Sequence, residues 1–175
     1  VVTGASGGVG SFAVALLAQS GWRVTAVTGS EQEADYLRAL GAQNILSRDA
    51  LTIPGKLLQS QNFAAGIDTV GGQTLANLLA QTQFDGAIAA CGNVGGMELP
   101  TSVAPFILRG VALLGVESVR PRIALRQQAW ARLANDLDIH ALEAMTEIIP
   151  FSQALDRAKT IIKGAIRGRI VIEMP

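Results

Sequence analysis

The sequence predicts an α/β fold, a doubly wound parallel sheet of about six strands with helices flanking both faces. Short β-branched apolar runs alternate with stretches of helical period from Val1 to about residue 120. Such alternation implies right-handed β–α–β crossovers and a sheet covered on both sides. A glycine-rich turn, TGASGGVG (Thr3–Gly10), joins the first strand-like run to the first helical one, as in sheets of the Rossmann type.

Each element follows from local pattern. Val1–Thr3 is β-branched and apolar, a first strand. Val9–Gln19 carries Phe12, Leu16 and Leu17 at helical spacing, with Gly21 as a stop. Trp22–Thr28 reads as a second strand. Ser30–Gly41 reads as a helix opened by a capping box, Ser30 with Glu33, and closed by Gly41. Asn44–Ser47 is a short third strand, and a crossover helix is expected around Leu57. Ala64–Gly71, Gly86–Gly92 and Val111–Val119 are the fourth, fifth and sixth strands, with a helix over Thr74–Thr82. The final third holds two amphipathic helices, Arg122–Leu137 and Phe151–Gly164, and a closing strand, Gly168–Met174. No repeat or linker interrupts the chain, so residues 1–175 are expected to form one domain.

Composition excludes several function classes. The 175 residues are 49% hydrophobic and 16% charged, an ordinary globular balance. Fourteen basic residues offset 14 acidic ones, leaving no general attraction to nucleic acid or an anionic membrane. Apolar runs such as Val111–Val116 are too short to span a bilayer, and no secretory leader precedes the first strand. With one cysteine, Cys91, and one histidine, His140, the usual zinc ligand sets cannot be assembled, and no metal is expected. A single thiol forms no internal disulfide and suits a reducing, cytoplasmic setting. Cys91 itself reads as a small buried residue ending a strand, and His140 as solvated.

Glycines between a strand and a helix let the backbone approach a pyrophosphate, while the helix N-terminus offers free N–H groups. Ala5-x-Gly7-x-x-Gly10 fits the dinucleotide fingerprint with Ala at its first position. Ser6, Gly7, Gly8 and Val9 are the candidate contacts. The same letters also read Thr3-Gly4-x-x-x-Gly8-x-Gly10, the pattern of short-chain dehydrogenases. Those enzymes need a Tyr with a Lys four residues later, and the only tyrosine, Tyr36, has Leu40 there. That mechanism is closed to this chain. A methyltransferase reading fails for want of an acidic residue closing the second strand.

An NAD site normally carries Asp or Glu at that position, to bind the ribose hydroxyls. Thr28-Gly29-Ser30 stands there instead, and hydroxyls suit the extra 2′-phosphate of NADP. Arg48, after the third strand, is a candidate partner for that phosphate, while Glu31 is the one nearby dissenting carboxylate. NADP(H) is therefore favoured over NAD(H).

TGASGGVG, VTGS, RALGA, AAGIDTVGG, AACGNVGG and LPTSVAPFILRGVALLGVES together resemble the cofactor domain of zinc-free medium-chain dehydrogenase/reductases. Within them the likeness is to the acrylyl-CoA reductase branch of the quinone oxidoreductase-like enzymes, over nearly the whole chain. The resemblance implies an arginine at Arg48 on the 2′-phosphate, Asn93 near the nicotinamide, and cofactor contacts at Ile107 and Ser118. It implies a GroES-like catalytic domain preceding these residues, with residues 165–175 returning toward it. Catalytic side chains are then expected mainly from that other domain, and none is named in this one.

The expected reaction is NADPH-dependent reduction of an activated C=C bond, acryloyl-CoA to propionyl-CoA. A quinone or alkenal reductase and a non-catalytic redox-sensing dinucleotide module remain alternatives. Arg120, Arg122 and Arg126 form a basic cluster that suits either solvent or CoA phosphates. Related reductases pair an edge such as Val111–Val119 across a two-fold axis, so a homodimer is expected through that strand.

Overall fold

Val2 joins the two halves of the main sheet. In the computed structural model, which describes residues 1–175, this residue bridges in parallel to Ala26 on one side and Ile67 on the other. Its N–H donates to the Thr25 carbonyl at 2.9 Å, and its carbonyl accepts from Val27 N–H at 2.8 Å. On the Ala26 side lie β1 (Thr25–Thr28) and β2 (Asn44–Ser47); on the Ile67 side lie β3 (Phe63–Asp68), β4 (Thr82–Ala90) and β5 (Ala112–Gly115). All named pairs are parallel. The spatial order β2–β1–Val2–β3–β4–β5 reverses direction at Val2, which makes the glycine turn after it the switch point of the sheet.

Helices cover both faces. α1 (Gly8–Gln19) buries Ala13, Val14 and Ala15, and α2 (Ala34–Ala39) buries Leu37, in a cluster with Val2, Val24 and Ala26. α3 (Gly72–Ala80) buries Leu75, Leu78 and Leu79 in a second cluster with Val27, Phe63 and Ile88. Ala26 and Val27 are neighbours on β1 yet belong to different clusters, because successive strand residues point to opposite faces. α4 (Ala104–Arg109) precedes β5, and α5 (Ile123–Asp136) and α6 (Ile139–Ala144) follow it. β6 (Thr146–Pro150), α7 (Ala154–Ile162) and β7 (Arg169–Glu173) close the chain, with β6 and β7 forming a separate parallel pair. That pair touches the switch point through a bridge between Gly7 and Gly168.

The doubly wound parallel sheet is as predicted, with seven named strands where about six were expected. Several expected elements change. The first strand shrinks to the bridging residue Val2, and the second begins only at Thr25, with Trp22 exposed. No helix forms around Leu57: Pro54 and Gly55 break the pattern, and a single 3-10 turn over Arg48–Leu51 stands in its place. Ser30 precedes a 3-10 turn without a side-chain cap, and Glu33 pairs instead with Arg167, so the capping box is not formed. The sixth strand stops at Gly115, because the Glu117 carboxylate accepts the N–H groups of Val119 (2.6 Å) and Arg120 (2.8 Å) and turns the chain. β4 starts at Thr82, ahead of the expected Gly86. α4, α6 and β6 are additional to the elements the pattern predicts.

Leu78 is fully buried between α3 and the sheet. Leu78→Ala is expected to lower the unfolding free energy by about 2–5 kcal/mol, read from a urea titration.

Candidate cofactor site

The glycine turn is held from below by two buried side chains. Thr3 and Asp68 are both fully buried, at the ends of the strands that flank the switch point. The Thr3 hydroxyl donates to Asp68 Oδ1 at 2.6 Å and accepts from the Thr69 N–H at 3.0 Å. Asp68 Oδ2 accepts from the Gly71 N–H at 2.7 Å, and the Thr69 hydroxyl donates to the Thr3 carbonyl at 2.9 Å. One carboxylate thus ties the turn after Val2 to the turn after β3. Gly4 has φ +56°, and a Cβ there would lie 2.3 Å from Thr69 Oγ1. A Cβ on Gly10 would lie 2.2 Å from the Gly4 carbonyl oxygen, so only glycine lets α1 close onto its own turn.

The start of α1 leaves its first N–H donors free. Gly7 is the N-cap and offers no capping side chain, and no acid stands in the first turn. The Gly7 N–H closes the turn onto the Gly4 carbonyl at 3.0 Å, and the next bonded N–H is that of Ser11, to the Gly7 carbonyl at 2.9 Å. The N–H groups of Gly8, Val9 and Gly10 are left for a ligand or water at the positive end of the helix dipole. Val9 is 48% exposed there.

Beside this turn lies the end of β1. Thr28 is buried, and its hydroxyl accepts the Ser30 N–H at 3.2 Å and sits 3.4 Å from the Ser6 hydroxyl. The Ser30 hydroxyl makes no capping bond. A Cβ on Gly29 would lie 2.8 Å from Arg48 Cζ, so the Arg48 guanidinium rests directly on Gly29. Arg48 takes part in none of the chain's ion pairs. Ser6, Thr28, Gly29, Ser30 and Arg48, from three separate stretches, therefore form one polar cluster.

The third wall is a pair of glycine loops. The Gly95 N–H donates to the Val70 carbonyl at 2.7 Å, and Cys91 N–H to the Asp68 carbonyl at 2.9 Å. Cβ atoms on Gly71 and Gly72 would lie 2.8 Å and 2.9 Å from the carbonyl oxygens of Gly96 and Gly95. VGG packs against VGG, backbone on backbone, around a cavity of about 310 Å³ lined by Cys91, Asn93, Met97 and Val116 among others. Asn93 stands at the mouth, its amide against the Met97 sulfur. Cys91 is exposed, contrary to the expected buried strand end, because β4 stops at Ala90. Burial of part of its surface and the Asp68 carboxylate push its thiol pKa up, the opposite of an activated nucleophile. Ile107, 72% exposed on α4, and Ser118, exposed after β5, have no contact that ties them to the glycine turn. Arg120, Arg122 and Arg126 are exposed, and His140 lies in the first turn of α6, 3.6 Å from Glu143.

Residues 8–135 match the zinc-binding dehydrogenase family, nearly three quarters of the chain. The chain belongs to that family. Within it the chain corresponds to the cofactor-binding half of medium-chain dehydrogenase/reductases. It is 45% identical to the acrylyl-CoA reductase AcuI of Ruegeria pomeroyi over 99% of its own length and 53% of that protein's. It superposes on the yhdH oxidoreductase of Salmonella enterica, solved in complex with NADP, with a TM-score of 0.97 at 47% identity, covering 99% of this chain and 53% of that one. The Bacillus subtilis protein yhfP, solved with NAD bound, gives 0.92 at 39% identity, covering 98% and 53%. The chain thus spans about half the length of the relatives it matches.

No three His, Cys, Asp or Glu side chains gather anywhere in the chain. A dinucleotide, by contrast, fits the uncapped helix start, the glycine-closed turn and the unpaired arginine.

Residue patterns alone missed Thr3, Asp68 and the docking of one VGG segment on the other. The repeated VGG was visible, but its meaning depends on two loops far apart in sequence. Thr3→Val, nearly isosteric, leaves a buried carboxylate oxygen and the Thr69 N–H unpartnered. It is expected to cost about 1–3 kcal/mol of stability by urea denaturation; a variant as stable as the parent would refute the joint.

Proposed function

We propose that this chain binds NADP(H) as the cofactor half of a reductase that adds hydride to an activated carbon–carbon double bond, acryloyl-CoA being the substrate and propionyl-CoA the product. The observation that carries the cofactor reading is Arg48. It lies unpaired on Gly29, beside the free Ser30 hydroxyl, at the strand end where an NAD site has a carboxylate. A guanidinium there recognises a 2′-phosphate bidentately. Ser6, Gly7, Gly8 and Val9 take the diphosphate through the start of α1, and Thr28, Gly29 and Ser30 take the adenosine ribose. Asn93 orients the nicotinamide from the third wall, while Ile107 and Ser118 complete contacts from α4 and the turn after β5.

The bound nicotinamide supplies hydride chemistry; the residues of this chain bind it, orient it and present one face of its ring. The enoyl thioester rests on the acrylyl-CoA reductases among the relatives, and groups that handle the substrate come from a preceding catalytic domain. A cytoplasmic setting agrees with the lone thiol of Cys91.

A homodimer is part of the same reading. β5 is the edge of the main sheet, and Leu114, Val116 and Val119 beside it are 52%, 50% and 79% exposed. Pairing two such edges across a two-fold axis satisfies their free backbone groups and covers these side chains.

Calorimetric titration is expected to give tighter binding of NADPH than of NADH. Arg48→Ala weakens NADPH by about tenfold to a hundredfold and leaves NADH nearly unchanged; tighter NADH binding by the parent would overturn the assignment. Val116→Lys or Val119→Lys is expected to convert a dimer to monomers in sedimentation velocity, and a persisting dimer would exclude this edge.

A further inference from the structure

Asn77 is a polar side chain in the middle of α3, 3% exposed among the leucines of the second core cluster. A buried amide is tolerated only where its donors and its acceptor are met. Its Nδ2 donates to the Leu51 and Ile53 carbonyls, each at 2.8 Å, and its Oδ1 accepts from Gln59 Nε2 at 3.1 Å. Gln59 Oε1 accepts in turn from Gln81 Nε2 at 3.2 Å, and Gln81 Oε1 from Asn62 Nδ2 at 2.8 Å. A row of side-chain amides thus runs from Asn62 to the carbonyls of Leu51 and Ile53.

This row replaces a crossover helix. Residues 52–62 form neither helix nor strand, so their carbonyls need partners from other elements. Arg109 takes the Gln59 carbonyl at 2.7 Å, and Asn77 takes those nearest Arg48. Arg48 opens the 3-10 turn that Leu51 closes. The entry to that turn is set by β2, where Ser47 stands opposite Thr28 in register and its hydroxyl accepts the Asp49 N–H at 3.3 Å. The exit is set by Leu51, 1% exposed in the core, and by the Asn77 amide on its carbonyl. Arg48 is exposed and enters no ion pair, so the place of its guanidinium on Gly29 depends on the turn that carries it.

We propose that Asn77 is a positioning residue for cofactor selectivity, holding the Arg48 turn from inside the fold so that the guanidinium stands where a 2′-phosphate binds. The inference rests on the NADP(H) reading above. Asn77 acts through Arg48 alone. It therefore bears on NADPH and not on NADH, which lacks that phosphate.

The experiment is titration of the intact protein with NADPH and NADH, in the parent and in Arg48→Ala backgrounds. Asn77→Leu, similar in shape and without an amide, is expected to weaken NADPH by about threefold to tenfold and to leave NADH within about twofold. Added to Arg48→Ala, it causes no further loss of NADPH affinity. Asn77→Ser, too short to span both carbonyls, shifts binding in the same direction and serves where thermal denaturation shows the leucine variant unfolded. Equal losses for the two cofactors overturn the proposal and mark a general structural role, and so does a loss of NADPH that persists undiminished in the Arg48→Ala background. Unchanged NADPH binding overturns it as well. A parent protein that does not prefer NADPH, or whose preference survives Arg48→Ala, refutes the NADP(H) reading itself, a result distinct from these.

Discussion

The Thr3–Asp68 hydrogen bond is the constraint on which the rest of the site depends. It joins two turns that leave the sheet on either side of its reversal, and both partners are fully buried. A buried carboxylate is tolerable only when its oxygens are satisfied, and here a hydroxyl and the Gly71 N–H accomplish that. The glycine turn, the VGG loop and, through Cys91 and Gly95, the second VGG loop are then held in one frame. Gly4, Gly10, Gly71 and Gly72 are consequences of that closeness, since each allows backbone to approach within the space a Cβ would fill.

Charge is distributed economically around this frame. The helix start has no acidic neighbour, β1 ends without a carboxylate, and two arginines lie on glycines at its two ends. Elsewhere, Arg38, Arg132, Arg157 and Arg167 hold carboxylates, Arg109 bonds the carbonyls of Ala80, Thr82 and Gln59, and Arg23, Arg120, Arg122 and Arg126 are exposed and enter no ion pair. Arg48 and Arg169, both exposed, thus bring positive charge to the two ends of the glycine turn.

Much of the fold was legible along the chain because α1, β2 and α5 are set by local period and by glycine stops. The stretch around Leu57 misled because its apolar residues suggested a helix that Pro54 and Gly55 forbid. Ser30 misled in the other direction: its spacing to Glu33 is that of a capping box, yet Glu33 is drawn to Arg167, 134 residues away. In the candidate site, the fingerprint puts Ser6, Gly7, Gly8 and Val9 at the start of α1 and the pattern puts Thr28 to Ser30 at a strand end, and the structure has them there. The contact of Arg169 with Gly8 was not legible, since an arginine opening a final strand looks like any solvated residue.

By itself, the sequence determined the parallel α/β architecture, the position of the glycine turn and the lack of a carboxylate after β1. These depend on local propensity, periodicity and residue counts. Tertiary structure decided that Arg48 rests on Gly29, that Asp68 reaches Thr3, and that β7 returns to place Arg169 on Gly8. Each of those contacts joins residues separated by long stretches of chain, and only the closing of the sheet and the docking of its final strand bring them together.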